Sequence, residues 1–297
     1  MALSMELEHS YINTNNVRLH VVQVGPKSGT PVLLLHGFPE FWYGWRKQIP
    51  ALAAAGCRVI VPDQRGYNLS DKPKGKNAYC VDALVEDITG LIKALDYEKV
   101  NLIGHDWGAF IAWVLAIKHP ERLHRLGIIN VPHPSVMKRF LQRDLKQMRR
   151  SLYALFFQLP WLPETIMRAG NWRTASLGMR RSGKPNAFTN EDIEKYKEAW
   201  SQPGAMTAML NWYRAAPRYF SQITNGMRVQ IPTLILWGVQ DFALSRRMAR
   251  PSLDYCEEGN LIFFPDATHW VQHEEAEEVN HHLIDFVFDK LSKKAAR

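Results

Sequence analysis

Val100-Asn101-Leu102-Ile103-Gly104-His105-Asp106-Trp107-Gly108 is the stretch that decides the fold of this 297-residue chain. A short apolar β-like run enters a tight G-x-X-x-G turn, and a helical stretch follows from Trp107 to Lys118, where Pro120 ends it. In this strand–turn–helix layout the central residue is forced out of the sheet onto a sharp turn at a helix N-terminus. Serine usually occupies that position, and here it is Asp106. A carboxylate nucleophile attacks alkyl carbon and leaves an alkyl-enzyme ester, which water then hydrolyses. The chemistry implied therefore moves from ester cleavage to the opening of an epoxide or the displacement of a halide.

Outward from this turn the alternation of strand and helix repeats. Pro31 to Leu35, Cys57 to Val61 and Leu126 to Val131 are short apolar runs of the kind that form buried parallel strands. Trp42 to Ala55 and Cys80 to Leu95 read as helices between them. Near the start, Ser10 to Asn13 and Val17 to Val24 alternate apolar and polar residues around Asn15-Asn16, a hairpin signal. The pattern then stops. From about Pro132 to Arg228 there is no buried-strand run, only helical stretches broken by Pro160, Pro163, Pro185 and Pro203, with a capping box from Thr189 to Asp192. Strand character returns at Thr233 to Trp237 and Leu261 to Phe264, and Ala276 to Lys293 closes as an amphipathic helix. The expectation is an α/β core from residues 1–131 and 229–297, with a mostly parallel eight-stranded sheet. An all-helical lid over 132–228 interrupts it.

Composition narrows the function classes. Apolar residues make up 46% of the chain and charged residues 22%, which suits one large folded unit with an insertion. The formal charge of +8 includes clusters at Lys138-Arg139, Arg149-Arg150 and Arg180-Arg181. No aromatic-plus-basic motif accompanies them, so nucleic acid is not an expected partner. A solvated surface is the simplest reading of these clusters, and loose attraction to anionic lipid is the alternative. Cys57, Cys80 and Cys256 are odd in number and far apart, which argues against a disulfide framework or a zinc site and fits a reducing compartment. No secretory signal or membrane span is visible, and the expected setting is the cytoplasm. No metal or organic cofactor is expected. His281-His282 reads as solvated, and the sequence leaves the oligomeric state open between monomer and homodimer.

With Asp106 on the turn, an acid should follow a later strand and a histidine should come near the C-terminus. Asp241 lies just past Thr233-Leu234-Ile235-Leu236-Trp237, and His269 follows Leu261 to Phe264. His269 would act as general base on water, with Asp241 holding its tautomer. His105 adjoins the nucleophile but points away from the pocket, which makes it structural. His36-Gly37-Phe38-Pro39-Glu40 follows the strand ending at Leu35. Its turn would supply one oxyanion N–H at Phe38, and Trp107 would supply the other. Pro39 fixes that turn and is compatible with a cis bond.

His36 to Glu40 with Phe41-Trp42-Tyr43-Gly44-Trp45, the segment Asp63-Gln64-Arg65-Gly66-Tyr67, and Gly104 to Gly108 resemble the epoxide hydrolases of the α/β-hydrolase fold. The resemblance runs from about Ser10 to Leu291. It implies hydrolysis of a small apolar epoxide by water to a vicinal diol, with two lid tyrosines donating to the epoxide oxygen. Asn211-Trp212-Tyr213-Arg214 resembles the segment of one of them, and Ser151 to Gln158 resembles the segment of the other, with Tyr153 as the donor. Tyr196 and Tyr219 are the fallback candidates. A phenol suits the task, because at a pKa of about 10 it can donate a proton while staying un-ionised at neutral pH.

A haloalkane or haloacid dehalogenase would use the same Asp-His-Asp set. The haloalkane enzymes need side-chain N–H donors for the halide, and this chain has Trp107 but Phe38 where the second donor would stand. A fluoroacetate dehalogenase needs an arginine clamp, and the matching positions are Trp107 and Phe110. A ligand-binding protein without catalysis is compatible with the fold alone.

Overall fold

The computed structural model describes residues 6–222 and 227–290. The chain opens with strands β1 (Glu8–Thr14) and β2 (Val17–Val24), joined where Asn15 and Asn16 take φ of 40° and 59°. Two residues at positive φ make the tight turn whose twist matches that of a hairpin. Then follow β3 (Thr30–Leu35), α1 (Gln48–Ala54), β4 (Cys57–Pro62), α2 (Val81–Ala94), β5 (Val100–His105), α3 (Trp107–Lys118) and β6 (Leu123–Ile129). Six helices come next: α4 (Pro134–Arg143), α5 (Leu145–Arg150), α6 (Leu152–Phe156), α7 (Leu162–Ser182), α8 (Asn190–Trp200) and α9 (Ala205–Gln222). The chain returns through β7 (Thr233–Gly238), α10 (Ala249–Leu253), β8 (Gly259–Phe264), α11 (Val271–Glu274) and α12 (Ala276–Val287).

The strands form one sheet in the order β1-β2-β4-β3-β5-β6-β7-β8. β2 pairs antiparallel with β1 and β4, and every pairing from β4 to β8 is parallel. Every residue of β4, β5 and β7 is buried, because helices cover both faces of the sheet. One apolar layer gathers α2 and α3, and a second gathers α1 and α12. Since the strands run the same way, their C-terminal ends share one edge, where an open α/β sheet carries its ligand site.

All eight expected strands form, and α3 has the bounds read from the sequence. The Thr189/Asp192 capping box opens α8 as expected. Three elements differ from the reading by more than two residues. The single helix expected over Trp42 to Ala55 is a 3-10 turn at Trp42–Trp45 followed by α1. Pro50 lies in the first turn of α1, where no N–H is required, and it could not donate to Arg46 in a continuous helix. β6 spans Leu123–Ile129 rather than Leu126 to Val131, because Asn130 turns to a φ of 57° and ends the strand. The last helix stops at Val287, with Asp289 at a φ of 58°; Lys293 lies outside the described residues.

Candidate active site

The turn after β5 places Asp106 at φ 50° and ψ −125°, immediately before α3. A non-glycine residue there is strained, and only close packing can hold it. Glycines permit that packing. A Cβ on Gly108 would lie 2.2 Å from the Leu35 carbonyl oxygen, and one on Gly37 would lie 2.2 Å from Asp106 Cβ. The loop after β3 therefore lies directly against the carboxylate. The Phe38 N–H donates to Asp106 Oδ1 at 2.7 Å, beside a cis Phe38-Pro39 peptide.

The loop after β7 carries Asp241. Its Oδ1 accepts the N–H groups of Ala243 (2.7 Å) and Leu244 (2.8 Å). Its Oδ2 accepts the Asn130 side-chain amide at 2.7 Å and lies 2.8 Å from His269 Nδ1. The other end of that imidazole, Nε2, lies 3.4 Å from Asp106 Oδ2. His269 thus stands between Asp106 and Asp241 at the C-terminal edge of the sheet, although it follows both in the chain. His105 is buried beneath His269: its Nε2 lies 2.9 Å from the His269 carbonyl oxygen and the two rings are 4.7 Å apart. Its Nδ1 faces the Gln272 amide at 3.0 Å and Glu40 Oε2 at 3.3 Å, and not the Asp106 carboxylate.

Burial alone would lower the pKa of His269, but the charge of Asp241 and the hydrogen bonds to both carboxylates overcome it and push the group up to about 10. For Asp106 burial acts upward, and the hydrogen bond and charge of His269 reverse it and hold the carboxyl below its usual range. The resting pair is an imidazolium beside a carboxylate.

Two phenols face this pair from the helices. Tyr213, in α9, packs edge-on against Phe38 (5.2 Å), Trp107 (5.1 Å) and Phe157 (4.9 Å). Tyr153, in α6, lies 6.0 Å from Tyr213 between ring centroids. Burial and then the charge of Asp106 push both phenols upward, so both are protonated at neutral pH. The fallback tyrosines lie elsewhere. Tyr196 donates to Glu40 Oε1 at 2.7 Å, and Tyr219 packs edge-on against Phe110. Trp42 and Trp270 pack into the core, while Phe157 faces the site beside Phe38.

Comparison with known proteins identifies the family. The family model of the alpha/beta hydrolase fold matches residues 30–276. A protein of Bacillus subtilis described as an AB hydrolase superfamily protein, YfhM, is 47% identical over 93% of this chain and 96% of its own length. Epoxide hydrolase 4 of Homo sapiens is 37% identical over 96% of this chain and 80% of its own. Among solved structures, an epoxide hydrolase of Bacillus megaterium in complex with an inhibitor superposes with a TM-score of 0.85. It is 32% identical and covers 94% of this chain and 100% of that one. This chain is an epoxide-hydrolase-like member of the α/β-hydrolase family.

Sequence reading of this hydrolase missed residues that support the site. Asn130 is the foremost: its amide donates to Asp241 while its Oδ1 accepts the Gly238 N–H at 2.9 Å. A polar residue at the C-terminal end of a parallel strand, of a type that tolerates positive φ, was the available signal. Arg150 also reaches the site, donating to the Asp241 carbonyl oxygen at 2.7 Å. Below His105, the buried Glu40 accepts from Tyr196 and lies 2.7 Å from His273 Nε2, tying α8 to the floor of the core.

Proposed function

We propose that this hydrolase opens a small apolar epoxide to a vicinal diol in two covalent steps. The observation that carries the reading is Asp106 on the strained elbow with the Tyr213 ring against Phe38 and Trp107 and the Tyr153 ring 6.0 Å from that of Tyr213. Residues 132–228 would act as a cap on the core of 1–131 and 229–297, bringing those phenols over the nucleophile.

In the first step an Asp106 oxygen attacks an epoxide carbon and the C–O bond breaks toward oxygen. The nascent alkoxide takes a proton from Tyr153 or Tyr213. The tyrosinate recovers its proton from the His269 imidazolium, which has lost the Asp106 charge that helped to hold its proton. Ester formation therefore converts His269 into the neutral base that the second step requires. His269, aligned by Asp241, then takes a proton from water as hydroxide attacks the ester carbonyl. The N–H groups of Phe38 and Trp107 would hold the oxyanion, and such donors are typically worth about 3 kcal/mol each. Collapse releases the diol and restores the carboxylate and imidazolium.

The test is one turnover of styrene oxide in water enriched in oxygen-18, beside a bromide-release assay on 1-bromobutane. Diol formation with the label first entering the Asp106 carboxyl, and no bromide, is expected. Bromide without diol would transfer the reading to dehalogenation. Diol whose first-turnover oxygen comes directly from solvent would remove the covalent step.

A further inference from the structure

The excess positive charge of this chain is accounted for by one stretch. Residues 133–182 hold ten of the 37 Lys and Arg and only two of the 29 Asp and Glu, so the remaining residues carry 27 of each sign. The formal net charge of +8 is therefore the charge of this one span. Its two acids are already engaged, Asp144 by Arg247 at 2.8 Å and Glu164 by Arg214 at 2.8 Å.

The exposed apolar surface is concentrated in the same stretch. Eight of the twelve large apolar side chains exposed among the described residues lie between Leu145 and Leu177. Leu145, Met148, Leu152, Leu155 and Leu159 recur at intervals of three and four, the spacing of one helical face. α5 and α6 present that face almost continuously, since the Ser151 N–H donates to the Gln147 carbonyl across their junction at 3.0 Å. The opposite face, with Gln147 and Phe157, is buried. Beyond the stripe, Trp161 takes a left-handed φ of 51° and is 71% exposed, so a costly backbone conformation holds an indole in water.

We propose that this face docks on the surface of an anionic lipid bilayer. Lys and Arg interleaved with Leu and Trp along surface helices make a segment that lies in the headgroup region, with indole and aliphatic side chains inserted and cations on the phosphates. A second copy fits poorly, because a two-fold contact would set the positively charged face against itself. Tyr153 belongs to α6, so the docked face is the outer side of the helix whose inner side meets the site. Docking needs no turnover and does not rest on the epoxide reading.

Vesicle flotation tests it on the full chain, with phosphatidylcholine alone and with about a third phosphatidylserine. Retention on the anionic vesicles should be at least about tenfold higher and should fall away near half-molar salt. The pair Lys146→Glu and Arg149→Glu should cost at least about tenfold, as should Leu155→Ser with Trp161→Ser, while thermal unfolding and turnover of a soluble substrate stay unchanged. Binding should also shift tryptophan emission to the blue, and Trp161→Ser should remove the shift. Equal retention on neutral vesicles, or retention that the folded variants keep, overturns the proposal. So does no retention on either vesicle together with a dimer that Leu155→Ser dissolves, which would assign the face to a second copy.

Discussion

The strand ends and the helices contribute to the site by different physical means. On the sheet side each carboxylate is fixed by directional hydrogen bonds: Asp241 by two backbone N–H groups and the Asn130 side-chain amide, and Asp106 by the Phe38 N–H and a strained φ. On the helical side Tyr213 meets Phe38, Trp107 and Phe157 through ring contacts worth about 0.5–1.5 kcal/mol each. Ring contacts tolerate small rotations that a buried hydrogen bond does not. Under the proposed function, proton handling thus sits on a scaffold with little freedom, and substrate contact sits on one that can yield.

The largest effect belongs to the rigid side. Under the proposed reading, His269→Gln leaves alkylation intact and stops ester hydrolysis, so turnover falls by at least about a thousandfold. The protein should then carry a mass increase equal to the substrate. The same variant bears on stability. The pKa of His269 is raised in the folded state, so its stabilisation is complete below pH 6.5 and disappears as pH climbs to about 10. Thermal unfolding followed across that interval should slope downward in the parent and run flatter in the variant. Normal turnover would mean that another group is the base.

Tyr213→Phe addresses the yielding side. It should slow alkylation by about a hundredfold while hydrolysis of the preformed ester changes little. Rapid-quench separation of the two steps decides the matter, and the reverse pattern would place the phenol in the second step.

The smallest effect sharpens the comparison. Asn130→Gly suits the positive φ but deletes the amide. With one donor fewer, Asp241 holds the imidazolium proton more strongly. Ester hydrolysis should slow by about tenfold at neutral pH, and its alkaline rise should move to higher pH. An unmoved pH profile would reduce Asn130 to a structural residue.

What could be read from the sequence follows the range of the contacts involved. The elbow is local, since strand, glycines and helix lie within a dozen residues. Asp241 and His269 are distant in sequence, yet each follows its own apolar strand, and chain order identifies them. Asn130 gives no such signal, because its partner is set by the pairing of β6 with β7. Tyr153 offers only a place in an amphipathic stretch, and family likeness was needed to single it out. The break at Trp42–Trp45 was written in Pro50 but hidden by the apolar pattern around it.

The Asn130–Asp241 hydrogen bond joins residues 111 positions apart. Asn130 marks where the chain leaves the sheet for the helices, and Asp241 follows the strand by which it returns. One amide therefore closes the base of a loop of more than a hundred residues, and the bonds that align the Asp241 carboxylate come from outside that loop, whose Arg150 reaches only the Asp241 carbonyl oxygen. Such a chassis lets the intervening helices be exchanged, lengthened or reshaped for a new ligand while the acid and base keep their positions.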